Sequence, residues 1–238
     1  MSKTFQRSAI AAAAFACALG ASAPAQAVFI ARICNDIQCL DGDDFIVQDN
    51  SGGDVAAMTG AISFSASAFG YTILVNTSQS KPVIGSATAP QLDVSYVVTS
   101  GASGGANVFL YASDTDFLTS GQFTLSLAGT NSGDSGSARG RAWGGTSNTE
   151  FQFSGSNLLA SLGPFADATF SASASGPFAA AANPYSLTIG MTVSRETAGT
   201  STGNLNLQVS AIPEPSTWAL MLVGPALVGF IARRRSRR

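Results

Sequence analysis

The chain contains no histidine. That absence removes the side chain that most often serves as a general base near neutral pH and as a metal ligand. Charge is also scarce, at 11% of residues. What basic charge there is lies mostly at the two ends. Of twelve Lys and Arg residues, five fall in the last six positions (Arg233, Arg234, Arg235, Arg237 and Arg238), and Lys3 and Arg7 open the chain. The body between keeps Arg32, Lys81, Arg139, Arg141 and Arg195, five cations against the thirteen acids from Asp36 to Glu196, for a net charge of −8. Nucleic-acid affinity comes largely from Lys and Arg displacing counterions, so an acidic, lysine-poor body excludes a nucleic-acid partner. Gly, Ser, Ala, Thr and Asn fill the middle instead, which argues against a coiled coil.

Cysteine is nearly absent too, with three in all. Cys17 falls within a leader-like segment. Residues 1–27 combine a basic start at Lys3 and Arg7, an apolar stretch from Ala9 to Leu19, and Ala25-Gln26-Ala27 as a small-residue cleavage site. These are the parts of a secretory signal in their proper order, cut by signal peptidase. A second cut is available after Ala21-Ser22-Ala23, and no leucine stands three residues before Cys17 to mark a lipid anchor. Removal of the leader leaves Cys34 and Cys39. An even count in an exported chain favours a disulfide, closing a ring whose entropy is worth about 2 kcal/mol. Zinc is the alternative, but two thiols without histidine cannot complete an ordinary structural site. No metal and no cofactor is expected.

The last 27 residues are the most specific part of the chain. Ile212-Pro213-Glu214-Pro215-Ser216-Thr217 leads into an apolar run from Trp218 to Ala232, closed by the arginine cluster Arg233 to Arg238. Trp218 suits a membrane interface and the arginines hold the end on the cytoplasmic side. Seventeen residues, Ser216 to Ala232, span about 25 Å as a helix, at the short end for a bilayer. Snorkelling arginine side chains supply part of the shortfall. The prolines flanking Glu214 keep the preceding segment extended and out of the helix, the form a protease can grip.

This order of tripeptide, apolar span and arginine stop resembles the PEP-CTERM sorting signal of Gram-negative bacteria, a tail also labelled the C-terminal domain of ice-binding proteins. The resemblance implies that Pro213, Glu214 and Pro215 are read by exosortase, a membrane enzyme. Trp218 to Ala232 would be a transient inner-membrane span, and Arg233, Arg234, Arg235, Arg237 and Arg238 its stop. Pro225 departs from the usual Gly/Leu-rich middle of such spans. Proteins with this tail tend to accompany exopolysaccharide and biofilm matrix, so the resemblance implies a destination at the cell surface or outside it.

Between the two addresses, alternation of apolar and polar residues marks strands. It is clear over Ile62 to Ala66, Leu92 to Tyr96, Phe123 to Leu127, Phe151 to Phe153, Tyr185 to Val193 and Leu205 to Val209. Tyr71 to Val75 and Val108 to Tyr111 read as short core strands, and Gly-, Ser- and Asn-rich turns separate the runs. Eight or so strands with one apolar face each predict a single all-β domain over residues 28–211, a β-sandwich or jelly roll, followed by the short C-terminal transmembrane helix within residues 212–238. Ala166 to Ala182 reads as a loop or a small helix. No fixed repeat period supports a solenoid.

Several constellations suggest chemistry. Gly133-Asp134-Ser135-Gly136-Ser137 resembles the nucleophile segment of trypsin-like proteases, but that mechanism needs a histidine; the segment reads as a loop. Asp41-Gly42-Asp43-Asp44, with Asp49 and Asp54, offers carboxylates for calcium, although the EF-hand spacing fails and a solvated turn is the plainer reading. Trp143, Tyr111 and Tyr185 are stacking candidates for a glycan-binding module, weighed against ordinary core packing. A carboxylate-dependent glycan hydrolase would need two acids about 5–10 Å apart in a cleft, and Glu150 and Glu196 are the only glutamates of the body. Ice binding would need a regular threonine face, which Thr197 to Thr202 is too short to supply. The sequence therefore predicts an exported, non-enzymatic β-sandwich sorted through its tail, with a lectin-like module and a glycan hydrolase as alternatives.

Overall fold

A computed structural model describes residues 28–39, 42–101, 107–133 and 136–212. Among them every regular element is a strand. The twelve are β1 Ile30–Cys34, β2 Phe45–Gln48, β3 Ala61–Ala68, β4 Tyr71–Gln79, β5 Gln91–Ser100, β6 Val108–Phe117, β7 Gly121–Ser132, β8 Gly136–Gly144, β9 Leu158–Phe165, β10 Thr169–Phe178, β11 Tyr185–Arg195 and β12 Gly199–Ser210. Two six-stranded sheets result. The first runs β2-β1-β6-β11-β8-β9 and the second β10-β7-β12-β5-β4-β3, with every pairing antiparallel.

The last eight strands are a jelly roll. β5 pairs with β12, β6 with β11, β7 with β10 and β8 with β9, so the segment rolls up with its first strand against its last. β4 and β3 extend one sheet beyond β5, and β1 and β2 extend the other beyond β6. The fold is therefore all-β and sandwich-like, as alternation predicts.

The same alternation builds the core. Leu92, Val94, Tyr96 and Val98 of β5 and Leu205, Leu207 and Val209 of β12 face Leu110 and Ala112 of β6 and Leu187, Ile189, Met191 and Val193 of β11 in one buried cluster. A fully buried side chain of this kind contributes about 1.5–3 kcal/mol over leaving it exposed. Where the strands bring glycine and alanine inward instead, as at Ala138, Gly140 and Ala142 of β8, large residues of the opposite sheet fill the space. A Cβ on Gly140 would lie 2.7 Å from Leu205 Cδ1.

Two expectations need correction. Ala166 to Ala182 contains strand β10 rather than a loop or helix. Ala172 and Ala174 pack on the core while Ser171, Ser173 and Ser175 alternate with them, so the inward positions are too small to read as an apolar stripe. Phe151 to Phe153 alternates but is not a strand; it lies in the β8–β9 connection, and Phe153 N–H donates to the carbonyl of Phe151 in a local turn. Among the described residues no helix is long and apolar enough to cross a membrane. The expected span, Trp218 to Ala232, lies outside them, as do the leader with Ala25 and Ala27, the motif Pro213 to Pro215 and the arginine stop.

Two cations sit at the margins of the core. Lys81 Nζ pairs with the fully buried Asp114 carboxylate at 2.8 Å and lies 4.0 Å over the Phe117 ring. Arg195, at 0% exposure, is buried where β11 ends. Its Nη2 donates to the Ser132 carbonyl and its Nη1 to Ser201 Oγ at 3.4 Å. Ser201 Oγ in turn donates to Asn131 Oδ1. Glycines make the room: a Cβ on Gly136 would lie 2.3 Å from Arg195 Nη1, and one on Gly199 only 1.9 Å from Nη2.

The outer face of the second sheet is nearly free of charge. Register places Ser173, Ser126, Asn206 and Asp93 in one row, with Asn204 and Ser95 in the next. Asp93 accepts from Asn204 Nδ2 at 2.9 Å and from Asn206 Nδ2 at 3.3 Å. Burial raises its pKa, and the two amide donors oppose that shift. A carboxyl whose native pKa exceeds its unfolded value is destabilising when ionised, and that cost disappears as pH falls through the native pKa. Asp93→Asn is therefore expected to melt no lower than the parent at pH 7, with any gain shrinking as the pH is taken down towards 4. A melt several degrees lower at pH 7 would contradict this.

Candidate functional site

The outer face of the first sheet carries a second, separate cluster. β6 turns Phe109 and Tyr111 outward, β8 turns Trp143 outward, and β1 presents Cys34. Together with Cys39 they form a buried group on which Phe151 and Phe153 pack. Register explains the meeting: Cys34 lies opposite Phe109 and Arg32 opposite Tyr111, while Gly190 of β11 lies between Tyr111 and Arg141. Gly190 is required there, since a Cβ would stand 2.2 Å from Tyr111 Cδ1. The rings are close. Tyr111 and Phe153 have centroids 4.5 Å apart, and Trp143 lies edge-on to Phe153 at 5.3 Å.

Two connections fold over this face. The β1–β2 connection is tied by the Cys34–Cys39 disulfide, whose Cα atoms are 5.4 Å apart, and the Tyr111 hydroxyl donates to its Ile37 carbonyl at 2.9 Å. Burial raises the Tyr111 pKa, so the phenol stays protonated as that donor. The β8–β9 connection is held by Phe151 N–H donating to Ser113 Oγ at 3.1 Å and Asn148 Nδ2 donating to Asp116 Oδ1 at 2.6 Å. Replacing both cysteines by serine is expected to lower stability by about 2 kcal/mol and to expose the Trp143 side of the cluster. A thermal melt with tryptophan emission checks both, and an unchanged melt contradicts them.

The sugar-stacking candidates are thus buried: Tyr111 is 1% exposed, Trp143 5% and Tyr185 0%. Tyr185 lies in the main core and donates its hydroxyl to the Thr119 carbonyl. None of the three offers a ring face to a sugar. The glutamates do not converge either. Glu150 lies in the connection that folds back to Ser113, while exposed Glu196 lies beyond the far end of β11. Thr188, opposite Ser113, and Glu196 are about 25 Å apart along an extended strand. A hollow lined by Ser67, Tyr71, Thr99 and Gly101 and another by Gly145, Asn157, Leu158 and Phe178 have no carboxylate in their linings.

The acidic residues near the disulfide are engaged with their own chain. Asp44 faces Arg32 at 3.9 Å, and its carboxylate lies within 4.8 Å of the two cysteine sulfurs, which the disulfide occupies. Asp49 accepts from Gly60 N–H at 2.8 Å, and Asp54 from Ala56 and Ser63 N–H at 2.9 and 3.0 Å. These contacts tie down the β2–β3 connection. Asp41 and Asp134 lie outside the described residues.

What the sequence reading overlooked is Arg139 and Arg141. They stand two residues apart on the outward face of β8, flanking Gly140. Arg32 is drawn onto the Phe151 ring at 4.4 Å and faces Asp44. Arg139 and Arg141 have no carboxylate within ion-pair distance among the described residues. Burial lowers the Arg141 pKa, and the neighbouring Arg139 charge lowers it further. The available signal was composition: two of the five body cations sit at strand spacing within one Gly/Ala alternation.

Comparison with known proteins places the tail. Residues 211–238 match the family model described as the PEP-CTERM protein-sorting motif. The chain thus carries that motif, which supports an exported protein whose processing partner is exosortase. No curated protein matches the chain. Among solved structures, the enzymatically active domain of bacteriophage CBA120 tailspike protein 4 aligns over 59% of this chain and 19% of its own, at 12% identity and TM-score 0.35. The infectious bursal disease virus Gx strain structure aligns over 82% and 54%, at 12% and 0.35. The VP2 subviral particle of the same virus aligns over 79% and 56%, at 10% and 0.32. The chain spans between about a fifth and just over half of those chains, and likenesses at this level carry no functional argument.

Proposed function

We propose that this protein is a non-enzymatic component of the cell surface or extracellular matrix, associated with exopolysaccharide and biofilm, and delivered there by cleavage of its tail. The sorting motif at residues 211–238 carries the reading. In this account residues 1–27 are the signal peptide, cut by signal peptidase after Ala27; residues 28–211 are the secreted domain; and residues 212–238 are the sorting tail. Trp218 to Ala232 holds the chain briefly in the inner membrane, the terminal arginines stop transfer, and exosortase reads Pro213, Glu214 and Pro215.

The composition of the body supports the same reading. A histidine-free, sparsely charged sandwich is suited to a durable scaffold, and its glutamates sit far apart. Fractionation in hosts with and without an exosortase tests the proposal. Release that depends on the enzyme supports it, and an uncut chain held in the membrane of both hosts overturns it.

A further inference from the structure

We propose that Arg139 and Arg141 form an anion site on the outer face of the first sheet, and that its ligand is a polysaccharide bearing carboxylates, a uronate-containing glycan. Three of the five cations of the body are committed elsewhere. Lys81 is paired with Asp114, Arg195 is buried at the end of the sandwich, and Arg32 faces Asp44. Arg139 and Arg141 alone are partly exposed with no carboxylate at ion-pair distance among the described residues. Alternation puts both guanidinium groups on one face, with Cα atoms about 7 Å apart. Two like charges so placed raise each other's energy, and a shared anion relieves both.

Arg139 Nε and Arg141 Nη1 are buried atoms without a hydrogen-bond partner, as are Arg32 Nε and Arg195 Nε, but only at Arg139 and Arg141 does a partly exposed side chain also lack a carboxylate at ion-pair distance among the described residues. A buried donor left unpaired is costly and calls for an acceptor. The carboxylate is the acceptor that fits a guanidinium fork in two parallel bonds. The cross-strand neighbours carry hydroxyls: Thr192 faces Arg139 and Ser161 faces Arg141. Both hydroxyls suit a sugar. Strand β8 is paired on both sides, by β11 and β9, so the two arginines stand on a rigid base and binding orders little.

Charge selects among polyanions. The body carries a net −8, which repels a dense polyanion such as nucleic acid at long range. A glycan with spaced carboxylates meets the local pair with less of that penalty. The site draws on the matrix reading only for where such a glycan is met; binding itself needs no sorting.

The test uses the full chain in mild detergent, titrated with oligogalacturonate and with its carboxyl-reduced, neutral counterpart. The parent is expected to bind the acidic oligomer, to lose it as salt rises, and to ignore the neutral one. Arg139→Gln with Arg141→Gln is expected to bind about tenfold more weakly, the loss of one or two charged hydrogen bonds, with its melting temperature unchanged. Equal binding by parent and variant overturns the site, as does no binding by the parent. Equal binding of DNA or dextran sulfate overturns the assignment to carboxylate glycans. A chain that binds oligogalacturonate yet is never processed would sink the sorting account and leave this site standing.

Discussion

Arg195→Ala is expected to destabilise the sandwich by about 3–5 kcal/mol, the range for emptying the site of a large buried side chain. The side chain fills space that Gly136 and Gly199 keep open for it, and its loss leaves a cavity. It also strips donors from the Ser132 carbonyl and from the Ser201–Asn131 pair, and each buried acceptor left bare costs about 1–3 kcal/mol. In a domain of this size that corresponds to a melting temperature lower by about 10 °C. Arg195→Met separates shape from charge. It refills much of the volume without having to bury a cation, so its loss should be the smaller of the two. Thermal and urea unfolding of both variants decide the matter. An alanine variant within 1 kcal/mol of the parent would show that the guanidinium is not part of what closes that end.

Replacing Pro213, Glu214 and Pro215 together by alanine is expected to abolish release altogether. Alanine removes the two fixed φ angles and the carboxylate by which, under the proposed function, the enzyme recognises the tripeptide. The variant should accumulate uncut in the inner membrane of an exosortase-bearing host, while the body folds as before, since β12 ends at Ser210. Normal release of the variant would show that the tripeptide is not what the enzyme reads.

The fold class was legible because the longest strands alternate cleanly. β11 runs Tyr185–Arg195 with Leu187, Ile189, Met191 and Val193 all inward. β8 and β10 were not legible, because their middle inward positions, Ala138, Gly140 and Ala142 in β8 and Ala172 and Ala174 in β10, are too small to stand out as an apolar stripe. The rolled pairing of β5 with β12 joins residues that stand far apart in sequence, from Ser100 with Gly199 to Gln91 with Gln208, and no local period encodes such a partner. The buried aromatics teach a related point. Tyr111 and Trp143 face away from the main core, as a sugar platform would require, yet two connections cover them. Strand alternation assigns a face and says nothing of a loop that folds back over it. The sorting motif lies at the opposite extreme: its chemistry is contiguous in sequence and needs no fold to be read.

Intact mass and fractionation of the chain, expressed with and without an exosortase, test the central claim most directly. The account predicts a released species beginning near Val28 and ending near Pro215, present only when the enzyme is. A full-length tail held in the membrane of both hosts would contradict it.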